Sequence, residues 1–220
     1  MTHRLSSVQQ FCNADKRRID MKKFFAKLQY NAPVVLTMTL ISAIALILNY
    51  LTGGWTNRAF FAVYRSGWLN PMTYIRMFTY VLGHANYSHY FGNYMMILLV
   101  GPMLEEKYGS KSLLKMIAVT ALVTALIQII FFPSYMLLGA SGVVFMMILL
   151  SSFSNLQKGR IPITLILVAI IYLSGEVIDS IAHPNDGISQ MAHIIGGLCG
   201  TAFGWVITKP KAEKESAPAA

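Results

Sequence analysis

Ser141-Gly142-Val143-Val144-Phe145-Met146-Met147-Ile148-Leu149-Leu150-Ser151-Ser152-Phe153-Ser154-Asn155-Leu156 is an apolar run of 16 residues, closed by the polar Gln157–Arg160. As a helix it covers about 24 Å, against a bilayer hydrocarbon core roughly 30 Å thick. With Gln157–Arg160 at the cytoplasmic boundary, Ser141 starts its helix about 6 Å below the outer surface of that core. The preceding Pro133–Ala140 must then dip into the membrane as irregular backbone. Such backbone is tolerated only inside protein or along a water-filled cavity. The short run therefore puts a hydroxyl group, and a reason for water, at membrane depth.

The rest of the chain supports a membrane setting. Hydrophobic residues make up 55% of the 220 residues, charged residues only 12%, and the mean hydropathy is +0.53. That is too apolar for a soluble domain of this length. Runs of spanning length occur at Ala32–Leu51, Tyr87–Leu104, Met116–Phe132, Ser141–Leu156, Ile161–Ile181 and Ser189–Thr208. No ten-residue alternation of the β-barrel kind is present. The expected fold is an all-α membrane protein, a bundle of six transmembrane helices over residues 32–208. A basic tail (1–31), with an interfacial helix near Met21–Leu28, and a disordered tail (209–220) flank it. The first span is too long for a removed signal peptide and reads as a signal anchor.

The formal charge of +9 follows topology. With six crossings, fifteen Lys and Arg residues fall on the side of the termini, and only Arg58, Arg65 and Arg76 on the other. That asymmetry places both termini in the cytoplasm. The basic excess is then explained by topology and anionic lipid, with no nucleic-acid partner. Cys12 lies in the tail and Cys199 in the sixth span, so neither a disulfide nor a metal site is implied, and no cofactor is expected. The long outer connection Thr52–Asn86 is rich in aromatics, among them Trp55, Trp68, Tyr74 and Phe78. It reads as a structured segment lying partly in the outer leaflet, in a packing role.

Three further polar residues share the depth of Ser141. His193 stands 16 residues from Thr208, and His89 stands 16 residues from Leu104, each counted to the cytoplasmic end of its span. Asn93 follows His89 by one turn on the same face, its side chain tilted back toward the helix N-terminus. Two donors from one helix, with the Ser141 amide at another helix's N-terminus, suit an oxyanion hole. Gly196, Gly200 and Gly204 form a smooth stripe after His193, and Gly142 offers a matching small surface beside Ser141. Close packing of the fourth and sixth helices would bring Ser141 within reach of His193, a base for a serine nucleophile.

At these residues the chain resembles the rhomboid family of intramembrane serine proteases, over most of the six-helix block. The matching patterns are His89-Tyr90-Phe91-Gly92-Asn93, Gly101 through Glu105, Gly139-Ala140-Ser141-Gly142, and Ala192-His193 through Gly196 and Gly200. The resemblance implies a Ser141–His193 dyad without a third acid, and an oxyanion hole of His89, Asn93 and the Ser141 amide. It also implies a laterally embedded Thr52–Asn86 segment and a cap before the sixth helix. Gly139, Gly142, Phe145, Gly196 and Gly200 are the expected supporting residues. Two positions depart from the family pattern. Ile75-Arg76 stands where relatives carry Trp-Arg, and Phe145 where a Tyr commonly stacks on the histidine. The implied substrates are single-pass transmembrane proteins, with membrane lipid as surroundings and no obligate partner evident. A bare six-helix block looks bacterial, which places it in the inner (cytoplasmic) membrane as a multi-pass protein. Rival readings are a client-binding protein of the same fold that does not cut, and a small transporter lined by the same polar residues.

Among other polar residues, His84 reads as structural, Glu105 as structural at the cytoplasmic end of its helix, and Ser151-Ser152 as satisfying their own backbone. Glu176 and Asp179 share a face of the fifth helix and read as interfacial or packing groups.

Overall fold

A computed structural model of the chain describes residues 29–154, 163, 166, 167, 170, 171, 174 and 187–208. The expected interfacial helix near Met21–Leu28, both tails, most of Ile161–Ile181, and Glu176 with Asp179 lie outside the described residues. Among the described residues the α-helices with defined bounds are, in order, α1 Pro33–Leu51, α2 Trp55–Phe60, α3 Pro71–Thr79, α4 Tyr87–Tyr108, α5 Ser110–Phe131, α6 Ser141–Ser154 and α7 Gly187–Thr208. A 3₁₀ turn, Tyr80–Leu82, follows α3. The molecule is a helical membrane protein. Among the described residues, Pro33–Leu51, Ser110–Phe131 and Gln190–Ile207 are long and apolar enough to cross a membrane, and Ser141–Ser152 is a shorter apolar helix. α4 has the length, 22 residues, but its first turns carry His89 and Asn93.

Helix ends follow their sequences. Pro33 opens α1, where its missing N–H costs nothing. The exposed donors of that first turn are capped from another helix: the Val34 and Val35 amides donate to Glu105 Oε1 and Oε2 at 2.9 and 3.0 Å. Glu105, buried near the end of α4, thus locks the start of α1 to the bundle. Asn70 and Asn86 cap α3 and α4 through their side-chain oxygens. The third span starts earlier than its apolar run. Lys111 and Lys115 belong to α5, joined to α4 through Gly109 alone at φ +80°. Lysines continue a helix past the hydrocarbon because their stems stay apolar while the ammonium reaches water.

α6 sits in the middle. Val143 through Ile148 and Leu150 are buried, so this helix is apolar all round because protein surrounds it. The outside is apolar as well, which is the pattern of a lipid-facing surface. Leu40, Ile44, Ile47 and Leu51 form an exposed stripe on α1, and Ile194, Leu198 and Trp205 are exposed on α7. The described helical residues at 163, 166, 167, 170 and 171 are exposed Ile or Leu.

The Thr52–Asn86 connection is structured from within. Buried Arg76 donates to the Tyr64 hydroxyl and to Ser66 Oγ at 2.8 Å, with its guanidinium 4.2 Å over the Tyr64 ring. Ile75, at the departing position, faces outward. Ser66 Oγ in turn pairs with Thr73 Oγ1 at 2.6 Å. Trp55, Trp68 and Tyr74 are exposed, as suits rings at a membrane interface.

Candidate active site

The irregular Pro133–Ala140 segment hands its backbone groups to protein. Leu137 and Val63 exchange a pair of amide–carbonyl bonds at 2.8 and 2.9 Å, and the Gly139 amide donates to Tyr80 O at 3.0 Å. Gln128 Nε2 donates to the carbonyls of Phe132 and Tyr135, both at 3.3 Å. Non-helical backbone at membrane depth requires this kind of support. The aromatic-rich connection supplies most of it. The segment ends where Ser141 begins α6, with Ser141 buried to 9% exposure.

Glycines set the distances around it. Gly139 has φ +120°, a conformation L side chains rarely adopt. A Cβ there would also stand 2.7 Å from His89 Cε1 and Nε2 and 3.9 Å from Asn93 Nδ2. The bare backbone two residues before Ser141 therefore admits the imidazole edge of His89. On the other side, a Cβ on Gly196 would collide with the Gly142 carbonyl, 2.7 Å from its carbon and 2.9 Å from Gly142 Cα. A Cβ on Gly200 would meet Met146 in the same way, and one on Gly142 would lie 3.1 Å from Ala192 O. α6 and α7 are thus in backbone-to-backbone contact, the most intimate helix pairing among the described residues.

Ser141 precedes the Gly142 crossing point by one residue, and His193 precedes Gly196 by one turn. Both side chains leave their helices at one end of the crossing. His193 is buried, and the Phe145 ring stacks on it at 4.6 Å and 21°. The stack holds without a hydroxyl on the ring.

His89 borders the same space from α4. Its amide donates to the Asn86 cap at 2.9 Å. Asn93 Nδ2 donates to His89 O at 3.0 Å, one of its two N–H groups, so the second remains for another acceptor.

His84 carries more of the site than its sequence suggests. It is fully buried, its Nδ1 lies 3.1 Å from Ser42 Oγ, and its carbonyl accepts from Asn57 Nδ2 at 2.9 Å. Its ring meets that of His89 edge-on at 4.9 Å. Burial first, and His89 second, hold the His84 pKa down to about 3, so the ring is neutral. Ser42, a serine on the buried face of an apolar span, was the available signal for this pairing. Ser151 and Ser152 bond the Ile148 carbonyl of their own helix.

Among the described residues, no cluster of His, Cys, Asp and Glu is arranged to hold a metal ion. At this end of the α6–α7 crossing stand a hydroxyl at a helix N-terminus, a buried imidazole on the paired helix, and the His89 imidazole and Asn93 amide beside Gly139.

Fold and site together define a multi-pass helical membrane protein whose buried serine and histidine flank a glycine-lined helix contact. The Rhomboid domain family matches residues 71–210. The chain belongs to the rhomboid family, a family of intramembrane proteases. It is 32% identical over 143 residues to "Rhomboid-related protein 1" of Caenorhabditis elegans, a match covering 60% of this chain and 39% of that protein. It is 28% identical over 134 residues to "Putative rhomboid protease YdcA" of Bacillus subtilis, covering 57% of this chain and 62% of that protein. The chain thus spans less than two thirds of the length of either relative.

Proposed function

We propose that the chain is an intramembrane serine endopeptidase using a Ser141–His193 dyad. Ser141 Oγ attacks the scissile carbonyl while the His193 imidazole takes its proton, and the tetrahedral oxyanion is held by His89, Asn93 and the Ser141 amide. The imidazolium then protonates the leaving amine, leaving an acyl group on Ser141. His193 next deprotonates a water that releases the acyl group, and the proton returns to Ser141. No metal, cofactor or third acid takes part in this scheme.

The observation that carries the reading is the interlock of Gly142 with Gly196 and of Met146 with Gly200. Only bare backbone on α7 allows α6 so near, and the closeness is greatest beside Ser141 and His193. The Gly139 cradle for His89 completes the third side.

The protein crosses the inner membrane six times as one domain over residues 32–208, with both tails cytoplasmic. It acts on single-pass transmembrane proteins near their outer ends, without an obligate partner. A helical substrate hides its carbonyls, so a cleavable one unwinds locally at small or helix-breaking residues. Covalent labelling by a fluorophosphonate tests the dyad. Labelling that maps to Ser141 and disappears in His193→Ala is expected. Labelling unaffected by His193→Ala would refute the dyad.

A further inference from the structure

One cavity is lined by neither Ser141 nor His193. It is a cavity of about 430 Å³ between α1 and α5, walled by Val34, Met38 and Ile41 on one side and Leu114, Ile117 and Ala121 on the other. Val81 and Leu82 of the 3₁₀ turn close its far end. Thr37 and Ser110 are its polar side chains, too few to hold water in an otherwise apolar space. Ile41, Leu114 and Phe78 along it are exposed, so it opens sideways to the lipid.

Its length and the charge at its mouth identify an occupant. From Ser110 to Ala121 the α5 wall runs about 16 Å. One leaflet of the hydrocarbon core is about 15 Å deep. The cavity therefore begins at the boundary of one leaflet and stops near the midplane, the dimension of a single acyl chain. At the mouth stand Lys107, Lys111 and Lys115, all exposed, with Glu106 the one exposed acid beside them. Lys111 lies three residues before Leu114, on the face that lines the cavity.

We infer that this groove is a specific site for one anionic phospholipid, with an acyl chain between α1 and α5 and its headgroup on Lys111 and Lys115. The inference rests on the family's membrane setting and not on the dyad; only the naming of the leaflet as cytoplasmic depends on the proposed topology. The bound chain would touch Val81 and Leu82. The Leu82 carbonyl accepts from Ser42, which pairs with His84 beside His89. Lipid occupancy thus bears on the segment that packs against the site.

Native mass spectrometry of the full chain in non-ionic detergent tests this, with phosphatidylglycerol and phosphatidylcholine titrated in separate arms. One retained phosphatidylglycerol per protein is expected, bound more tightly than phosphatidylcholine. Ala118→Trp, which fills the groove, should remove that adduct for both lipids. Lys111→Gln with Lys115→Gln should keep phosphatidylcholine binding and lower phosphatidylglycerol affinity, about fivefold for each lysine. Three results would overturn the site: equal affinity for the two lipids, an adduct unchanged in Ala118→Trp, or no retained lipid on the wild type, as another occupant of the groove would give. The double glutamine variant alters only exposed side chains, so it remains informative if Ala118→Trp fails to fold.

Discussion

Replacing Gly196 with alanine adds one methyl group at the tightest point of the molecule. That Cβ would lie 2.7 Å from the Gly142 carbonyl carbon and 2.9 Å from Gly142 Cα, and nearer still to the carbonyl oxygen. Every atom it meets is backbone, so no rotamer change relieves the clash. α7 must retreat from α6 by more than about 1 Å to restore ordinary contact, at a cost of about 1–3 kcal/mol for an overpacked core. His193 moves with α7, and a misplacement near 1 Å costs about 10²-fold in rate. Gly197 is the control on the same helix. A Cβ there finds only Leu149 Cγ at 3.9 Å and Cδ2 at 4.0 Å, ordinary contacts. Gly197→Ala should keep its activity and gain up to about 1 kcal/mol from helix propensity. Melting in detergent and cleavage at saturating substrate in liposomes measure both effects. If Gly196→Ala melts and cleaves like Gly197→Ala, the helix contact does not set the dyad.

Other perturbations follow from single contacts. Glu105→Ala strips the acceptors from the Val34 and Val35 amides, at about 1–3 kcal/mol for each donor left without one, whereas Glu105→Gln keeps one oxygen and should lose about half as much in a detergent melt. His89→Ala and Asn93→Ala should each lower kcat by about 10²–10³ with little change in KM, as expected for donors that act on the oxyanion. His84 is held at about 3, well below its unfolded value near 6.5, so the fold favours its neutral form. Its contribution is complete above about pH 6.5 and is lost as pH falls from there toward 3. The melting temperature should drop on that acid limb, and the limb should be shallower in His84→Gln.

Much of this was readable in the sequence because membrane helices announce themselves by apolar length. The run Ala32–Leu51 differs from α1 only at Ala32, which is its N-cap, and α6 begins at Ser141, where the 16-residue run starts. The start of α5 was not readable from apolar length, since Lys111 and Lys115 look like loop while forming helix. The glycine stripe on α7 indicated close packing, but that Gly196 would meet Gly142 and Gly200 would meet Met146 is a fact of helix crossing. Least legible was the support beneath the site. The pairings of Val63 with Leu137, Tyr80 with Gly139, and Ser42 with His84 join residues about 40–75 positions apart, and no local pattern encodes them. The irregular segment could be inferred from depth, but its hydrogen-bond partners could not.

The proposed function requires that a serine hydroxyl in this bundle cut peptide bonds in the membrane. Wild type, Ser141→Ala and His193→Ala, each reconstituted in liposomes with one single-pass test substrate, measure it directly. Cleavage by wild type and none by either variant is expected, with all three melting at similar temperatures. Cleavage by Ser141→Ala at the wild-type rate would contradict the proposed function.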